Sequence, residues 1–210
     1  MIAIVDYGAG NLTSVKRSLD YLGIPCGITS DQEEIRSARG IIFPGVGAAG
    51  QAMQTLRHTG LDSLLLERVE RGVPLLGICL GSQVLLDSSP ENEASGLGLI
   101  PGGCRRFHPD LTDRGGPINI PHMGWNTVHL RQEDLFLFSG VREGTEFYFV
   151  HAYYPSPEEP YTLGVTHYGE TFCSVLGREG LWAVQFHPEK SGRPGLTLLE
   201  NFNRYCLGEN

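Results

Sequence analysis

The sequence predicts an α/β protein: a mostly parallel central sheet flanked by helices, with an added antiparallel β portion. Three observations predict it. Short apolar runs at 2–5, 41–43 and 75–78 have the character of strands buried on both faces. Segments with apolar residues at helical spacing lie between them. Beyond Leu97 the runs become shorter and alternating, and Gly and Pro punctuate them.

Each element follows from local chemistry. Ile2-Ala3-Ile4-Val5 is the first strand. Gly8, Gly10 and Asn11 follow it; Asn is a favourable N-cap, and Leu12, Val15, Leu19 and Leu22 then recur at helical spacing up to Gly23. Pro25 to Ile28 is a second, weaker strand, and Gly40-Ile41-Ile42-Phe43 a third, ended by Pro44-Gly45. Ala48 to Arg57 and Leu61 to Arg71 are expected helices, the second closed by Gly72. Pro74 to Ile78 is a fourth buried strand, followed by a helix from Leu80 to Leu86. Strands that alternate with helices imply right-handed crossovers and parallel pairing. In the second half, 125–130, 147–150, 161–167, 172–176 and 181–186 are expected strands, arranged as antiparallel hairpins. A last helix, Pro194 to Cys206, offers Leu198, Phe202 and Tyr205 on one face. There is no internal repeat, low-complexity tract or Pro/Ser linker, so residues 1–210 are expected to form a single domain.

Composition narrows the function classes. Apolar residues at 40% and charged residues at 19% argue against disorder. A net charge of −8 repels phosphate backbones and argues against a nucleic-acid partner. No apolar run approaches the ~20 residues of a membrane helix. Asp6 interrupts any signal-peptide core, so a cytoplasmic setting is expected, with no membrane partner. The five cysteines (Cys26, Cys79, Cys104, Cys173 and Cys206) include no CxxC pair, which favours free thiols over a disulfide frame. The same lack of paired ligand spacing sets a metal aside.

One cysteine has a distinctive setting. Gly77-Ile78-Cys79-Leu80-Gly81 sits where a buried strand turns into a helix. Small residues two before and two after the cysteine allow a tight turn that lifts its side chain into the open, the form of a nucleophile elbow. The helix N-terminus favours a thiolate, and the Leu80 N–H points towards the space an oxyanion would occupy. Buried thiols are common, and the other four cysteines are expected to be ordinary core or surface thiols.

A base candidate lies far away in sequence. In Gln185-Phe186-His187-Pro188-Glu189, residues two apart in extended chain project together. Glu189 can orient the His187 imidazole, which can activate Cys79 and later protonate a leaving amine. A His-x-Glu pair on its own is more often a surface contact. A third segment, Gly45-Val46-Gly47-Ala48-Ala49-Gly50, matches the glycine pattern of dinucleotide-binding turns. It follows the third strand, and the next strand ends at Cys79 with no carboxylate for a ribose. Its better use is to offer the N–H of Val46 or Gly47 as a second oxyanion donor beside Leu80. No Walker pattern occurs, and no cofactor is expected.

Taken together, Pro44-Gly45-Val46-Gly47, Gly77 to Gln83 and Gln185 to Glu189 resemble the class I, triad-type glutamine amidotransferases over almost the whole chain. Asp6-Tyr7-Gly8-Ala9-Gly10-Asn11-Leu12, Pro121-His122-Met123-Gly124-Trp125-Asn126, Tyr148 to Tyr154 and Lys190-Ser191 resemble the branch of that family that serves histidine biosynthesis. The resemblance implies a flavodoxin-like topology, Cys79 as nucleophile, and His187 and Glu189 completing a triad. It implies Gln83 and Glu91 as contacts to the amino-acid end of L-glutamine, with the backbone at Val150, His151 and Ala152 lining the same pocket. The family often has Ser at the position of Ala152 and Met at that of Ser82; a backbone role at the first and a packing difference at the second are expected. A (β/α)8-barrel cyclase is the implied partner in a heterodimer, with Pro121, Met123, Trp125, Tyr148 and Lys190 as interface candidates and Asn11 as a weaker one. The Gly-rich turn at 45–47 would hold an unproductive peptide orientation until that partner binds its own ligand. Three other readings remain open at this point. They are an amidotransferase subunit for the anthranilate or pyridoxal phosphate pathway, a non-catalytic subunit on the same fold, and a nucleotide-dependent oxidoreductase.

Overall fold

The computed structural model describes residues 1–8, 10–113, 116–132 and 134–209. Ala9 of the Asp6–Leu12 motif lies outside the described residues. The first half runs β1 (Ile2–Val5), α1 (Leu12–Tyr21), β2 (Cys26–Thr29), α2 (Gln32–Ser37), β3 (Gly40–Gly45), α3 (Ala49–Thr59), α4 (Leu61–Glu70), β4 (Leu75–Cys79) and α5 (Leu80–Val84). Short strands follow: β5 (Ser88–Ser89), β6 (Ala94–Ser95), β7 (Gly102–Arg106), β8 (Thr112–Asp113) and β9 (Gly116–Pro117). The rest is β10 (His122–Thr127), β11 (His129–Leu130), β12 (Glu146–His151), β13 (Tyr153–Pro157), β14 (Thr162–Tyr168), β15 (Glu170–Arg178), β16 (Leu181–Val184) and α6 (Gly192–Cys206).

Eight strands form the central sheet in the order β11-β14-β15-β16-β4-β3-β1-β2. The portion β2-β1-β3-β4-β16 is parallel throughout, which is the flavodoxin-like order. Successive side chains on a strand point to opposite faces, and the core divides accordingly. Ala3, Val5, Ile41, Phe43 and Leu75 pack with residues of α3, α4 and α5. Ile2, Ile4, Ile42, Leu76 and Ile78 pack with residues of α1 and α6. The register sets Gly45 opposite Cys79 and Val184 opposite Ile78. The carboxyl ends of β3, β4 and β16 therefore open at one edge of the sheet, where ligands of such folds bind. Among the described residues no helix is long and apolar enough to cross a membrane.

Several expectations change. The strand expected at 181–186 in an antiparallel hairpin covers Leu181–Val184, and it pairs antiparallel with β15 on one side and parallel with β4 on the other. All four of its residues are buried, which suits a central strand. The elbow helix ends at Val84 rather than Leu86, so it is a short helix with a small dipole. Helix α2 was missed because only Ile35 on it is buried, which leaves no apolar period. Its signal is Asp31, whose carboxylate accepts from the N–H groups of Glu33 and Glu34 at 2.8 and 3.0 Å. The antiparallel pair β7–β13 was missed because Gly102, Gly103, Pro155 and Pro157 disguise it. Strand β10 starts at His122 rather than Trp125, through Gly124 at φ 133°.

The glycines of the elbow are fixed by contact. A Cβ on Gly81 would lie 1.9 Å from the carbonyl oxygen of Phe43, and one on Gly77 would lie 3.0 Å from the carbonyl oxygen of Gly81. Backbone atoms of β3 cannot move aside without disturbing the sheet. Gly81→Ala is therefore expected to lower the stability of the fold by about 1–3 kcal/mol, measured by denaturant unfolding. An unchanged midpoint would show that the turn relaxes freely.

Candidate active site at the carboxyl edge of the sheet

Cys79 ends β4 and sits at φ 55°, ψ −109°, a conformation that non-glycine residues rarely adopt. The turn is held from below: the Ser82 hydroxyl donates to the Cys79 carbonyl at 2.6 Å. Ser82 thus does more than fill space. Leu80 opens α5, and the first N–H groups of a helix have no partner within it.

The other two predicted residues arrive from β16. His187 is buried, and its Nδ1–H donates to Glu189 Oε1 at 2.7 Å. The Glu189 side chain is fully buried. Its Oε1 also accepts from Asn11 Nδ2, while its Oε2 has no partner among the described residues. Asn11 occupies the N-cap position of α1 at φ 73°, but its side chain caps nothing and reaches Glu189 instead. The N-cap expectation is corrected accordingly: the carboxylate offers a charge-assisted bond, which is the stronger one.

His187 Nε2 is buried and makes no well-aligned hydrogen bond among the described residues. The Cys79 sulfur is nevertheless near enough to act on the ring. Burial alone would push the imidazole down. Cys79 and then Glu189 outweigh burial and raise the His187 pKa to about 10. By contrast, burial pushes the thiols of Cys104, Cys173 and Cys206 up to about 12. All five cysteines are free.

A cavity of about 300 Å³ opens over Cys79. Val46, Gly47 and Leu80 line it together with Val150, His151 and Ala152. Gln83, Glu91 and Tyr153 complete the lining. Gly45 stands just behind, paired with Cys79. Glu91 Oε2 accepts the Ala49 N–H at the start of α3 at 2.8 Å. Gln83 is buried, not solvated: its Nε2 donates to the Tyr153 carbonyl at 2.8 Å and to Gln185 Oε1 at 2.9 Å. A larger cavity of about 440 Å³, beside Trp182 and Tyr205, contains none of the predicted residues.

Two neighbours escaped the sequence reading. Gln185 turns its Nε2 towards the Cys79 sulfur at 3.7 Å; it was legible only as part of the segment that carries His187. The Tyr7 hydroxyl is buried without a partner among the described residues. It packs so close to Gly45 that a Cβ there would lie 2.0 Å away, and burial, then Cys79, raise its pKa. In the sequence it appears only within the Asp6–Leu12 motif, with no role of its own.

Of the interface candidates, Met123 and Trp125 lie on β10, Tyr148 on β12, Pro121 just before β10 and Lys190 next to Glu189. Met123 and Trp125 are 63% and 54% exposed, so ordinary burial does not explain them. Pro121 and Lys190 are exposed, and Tyr148 is half-buried. Trp125 meets Tyr148 edge-on at 6.2 Å, and the Lys190 ammonium lies 5.8 Å from the same ring.

Comparisons with known proteins bear on the family and the fold. The family model described as glutamine amidotransferase class-I matches residues 3–205. A protein of Maridesulfovibrio salexigens named imidazole glycerol phosphate synthase subunit HisH is 61% identical over 98% of this chain and 97% of its own length. The protein of the same name from Nitratidesulfovibrio vulgaris strain DP4 is 59% identical with the same coverage. The one from Moorella thermoacetica is 49% identical over 96% of this chain and 93% of its own. Among solved structures, a glutamine amidotransferase superposes with a TM-score of 0.74 at 19% identity, covering 99% of this chain and all of that one. That likeness concerns the fold.

The His187 charge makes a prediction with a definite sign. A raised pKa contributes stability in full below the unfolded value of about 6.5, and that contribution is lost as pH rises through about 10. In Cys79→Ala the imidazole loses its first partner. Its pKa, followed by NMR of the ring carbons, is expected to fall by more than about one unit, which is about 1.4 kcal/mol of lost coupling. An unmoved titration would show that sulfur and imidazole do not interact.

Proposed function

This chain belongs to the glutamine amidotransferase class-I family, and from that premise we propose that it is the glutaminase subunit of imidazole glycerol phosphate synthase in histidine biosynthesis, a single domain over residues 1–210 in the cytoplasm. The observation that carries the reading is the buried Cys79–His187–Glu189 arrangement, whose Cys79 opens on the cavity lined by Gln83, Glu91 and Val150 to Ala152. The relatives' shared name supports this synthase over those of the anthranilate and pyridoxal phosphate pathways. The glycine turn at 45–50 borders the cysteine's cavity, which supports its use in acyl transfer rather than dinucleotide binding.

The chemistry follows from the geometry. Glutamine lies with its side-chain amide over Cys79. Glu91 and Gln83, with the backbone from Val150 to Ala152, hold its amino-acid end. The thiolate attacks the amide carbon, and the carbonyl oxygen becomes an oxyanion that accepts from Leu80 N–H and from Val46 or Gly47 N–H. His187 gives its Nε2 proton to the departing nitrogen, the C–N bond breaks, and ammonia leaves. The neutral imidazole then takes a proton from water, which attacks the thioester carbon. Glutamate and the free thiolate result. Glu189 and Asn11 act by position: they hold the ring by Nδ1 so that Nε2 serves the reaction.

Ammonia is mostly protonated in neutral water and is then no nucleophile, so a synthase needs a shielded path to a second centre. The reading therefore includes a (β/α)8-barrel cyclase as partner, which joins the nitrogen to a phosphorylated acceptor and releases imidazole glycerol phosphate and aminoimidazole carboxamide ribonucleotide. The exposed Met123 and Trp125, flanked by Pro121, Tyr148 and Lys190, support a docking face beside the triad. Gly47, at φ 105°, has the backbone freedom for the turn to change peptide orientation on docking.

Two measurements test this. Cys79→Ala is expected to lower glutamine hydrolysis at least about a thousandfold; activity near that of the parent chain would overturn the nucleophile assignment. Hydrolysis is expected to rise from the isolated chain to the complex with the cyclase, and again when the acceptor is added. Equal rates in all three states would remove the regulatory turn.

A further inference from the structure

We propose that His122 and His151 are positioning residues for the nucleophile, the outer half of a hydrogen-bond network whose two halves meet at the Tyr153 carbonyl: His151 and Gln83 both donate to it, and Gln83 in turn holds Gln185 against the Cys79 sulfur. The proposal rests on the glutaminase reading of the site and adds to it a device outside the triad.

The roles of the donors and acceptors follow from their partners. A carbonyl oxygen only accepts, so the His151 Nδ1 that lies 2.9 Å from the Tyr153 oxygen carries its proton. Burial keeps both rings neutral, lowering the pKa of His122 to about 4 and that of His151 to about 3. His151 Nε2 is then an acceptor, and the His122 Nδ1–H at 3.1 Å is its donor. His122 Nε2 is left to accept, and Asn126 Nδ2 donates to it at 3.2 Å. The orientation of the Asn126 amide is fixed, because Nδ2 also donates to the His167 carbonyl at 2.9 Å and Oδ1 accepts from Thr127 N–H at 2.8 Å.

The inner half is equally determined. The Tyr153 oxygen accepts a second bond, from Gln83 Nε2. The same amide donates to Gln185 Oε1, which leaves Gln185 Nε2 turned to the sulfur. Rings exclude water along the outer half: His122 stacks on Tyr168 at 4.0 Å and on Phe149 at 4.9 Å, with Phe172 edge-on. In such surroundings a satisfied network is stiff, and an unpaired member is costly. A purely structural network would have no reason to end on the reacting atom.

The test uses the full chain with its synthase partner. His122→Leu removes both ring nitrogens, while His122→Asn keeps a donor near the position of Nδ1. For each, kcat and KM for glutamine are measured with the rate of Cys79 alkylation by iodoacetamide as a function of pH, and with the melting temperature. The expected result is a fall in kcat of about tenfold for His122→Leu, the scale of one lost hydrogen bond at the nucleophile. The alkylation midpoint should move to higher pH, and His122→Asn should restore most of both. A lower melting temperature with kcat and alkylation profile unmoved would make the pair structural and overturn the proposal. So would an Asn variant as slow as the Leu variant. If His122→Leu does not fold, Asn126→Ala removes only the outermost donor of the network; it is expected to shift the alkylation profile in the same direction, and an unmoved profile overturns the proposal. A parent chain that neither hydrolyses glutamine nor reacts at Cys79 would defeat the glutaminase reading itself. An active parent with unmoved variants defeats only the positioning role.

Discussion

The close approach of the Cys79 turn to the backbone of β3 is the contact on which the site depends. Gly81 lies against the Phe43 carbonyl with no space for a side chain, and Gly45 sits opposite Cys79 in register. Those two contacts put the cysteine and the glycine-rich turn on adjacent strand ends. The parallel pairing of β16 with β4 then brings His187 to the same edge, a little over one hundred residues later in the chain. A one-residue slip between β16 and β4 would turn the side chains of β16 to the other face and alter the point at which Gln185 and His187 leave the sheet. Register and close packing therefore control the distance between Cys79 and His187 more directly than any hydrogen bond does.

Partner charges and burial then separate three histidines of one site region. His122 and His151 are buried among aromatic rings and held neutral, and the charge on His187 further disfavours charge on His151. His187 is as buried as they are, yet it keeps its proton to high pH, because the Cys79 sulfur and Glu189 lie beside it. Solvent exposure does not distinguish them; the nearest anion does. One imidazole can accordingly serve as acid and base while the other two serve as fixed donors and acceptors.

Much of this was legible in sequence, for physical reasons that differ by residue. Cys79 announced itself because a sharp strand-to-helix turn needs small residues at fixed offsets, here Gly77 and Gly81. The buried strands β1, β3 and β4 were legible because parallel strands covered on both faces are continuous apolar runs. Asn11 was misread because an N-cap and a carboxylate partner call for the same residue type, and only the fold shows that Glu189 is within reach. Gln83 and Gln185 carry amides that look solvated in sequence. Their burial depends on each other and on the Tyr153 carbonyl, seventy residues from Gln83. Tyr7 is legible only as a member of the Asp6–Leu12 motif, and its contact with Gly45 is encoded by no local pattern.

The ribbon β10–β12 joins the two sides of the molecule that the function needs. On β10, His122 is buried while Met123 and Trp125 are exposed, as the alternation of a strand requires. On β12, Val150 and His151 are opposite Met123 and His122 and line the cavity over Cys79. The ribbon is two strands wide, so a protein seated on Met123 and Trp125 would press on the same backbone that forms the pocket wall. A shift of β10 along its length would move the His122 ring relative to His151 before it moved anything else in the site, because their 3.1 Å hydrogen bond crosses between the strands. The exposed face of Met123 and Trp125 and the cavity lining of Val150 and His151 share one pair of strands, so pressure on the first reaches the second through a single layer of backbone.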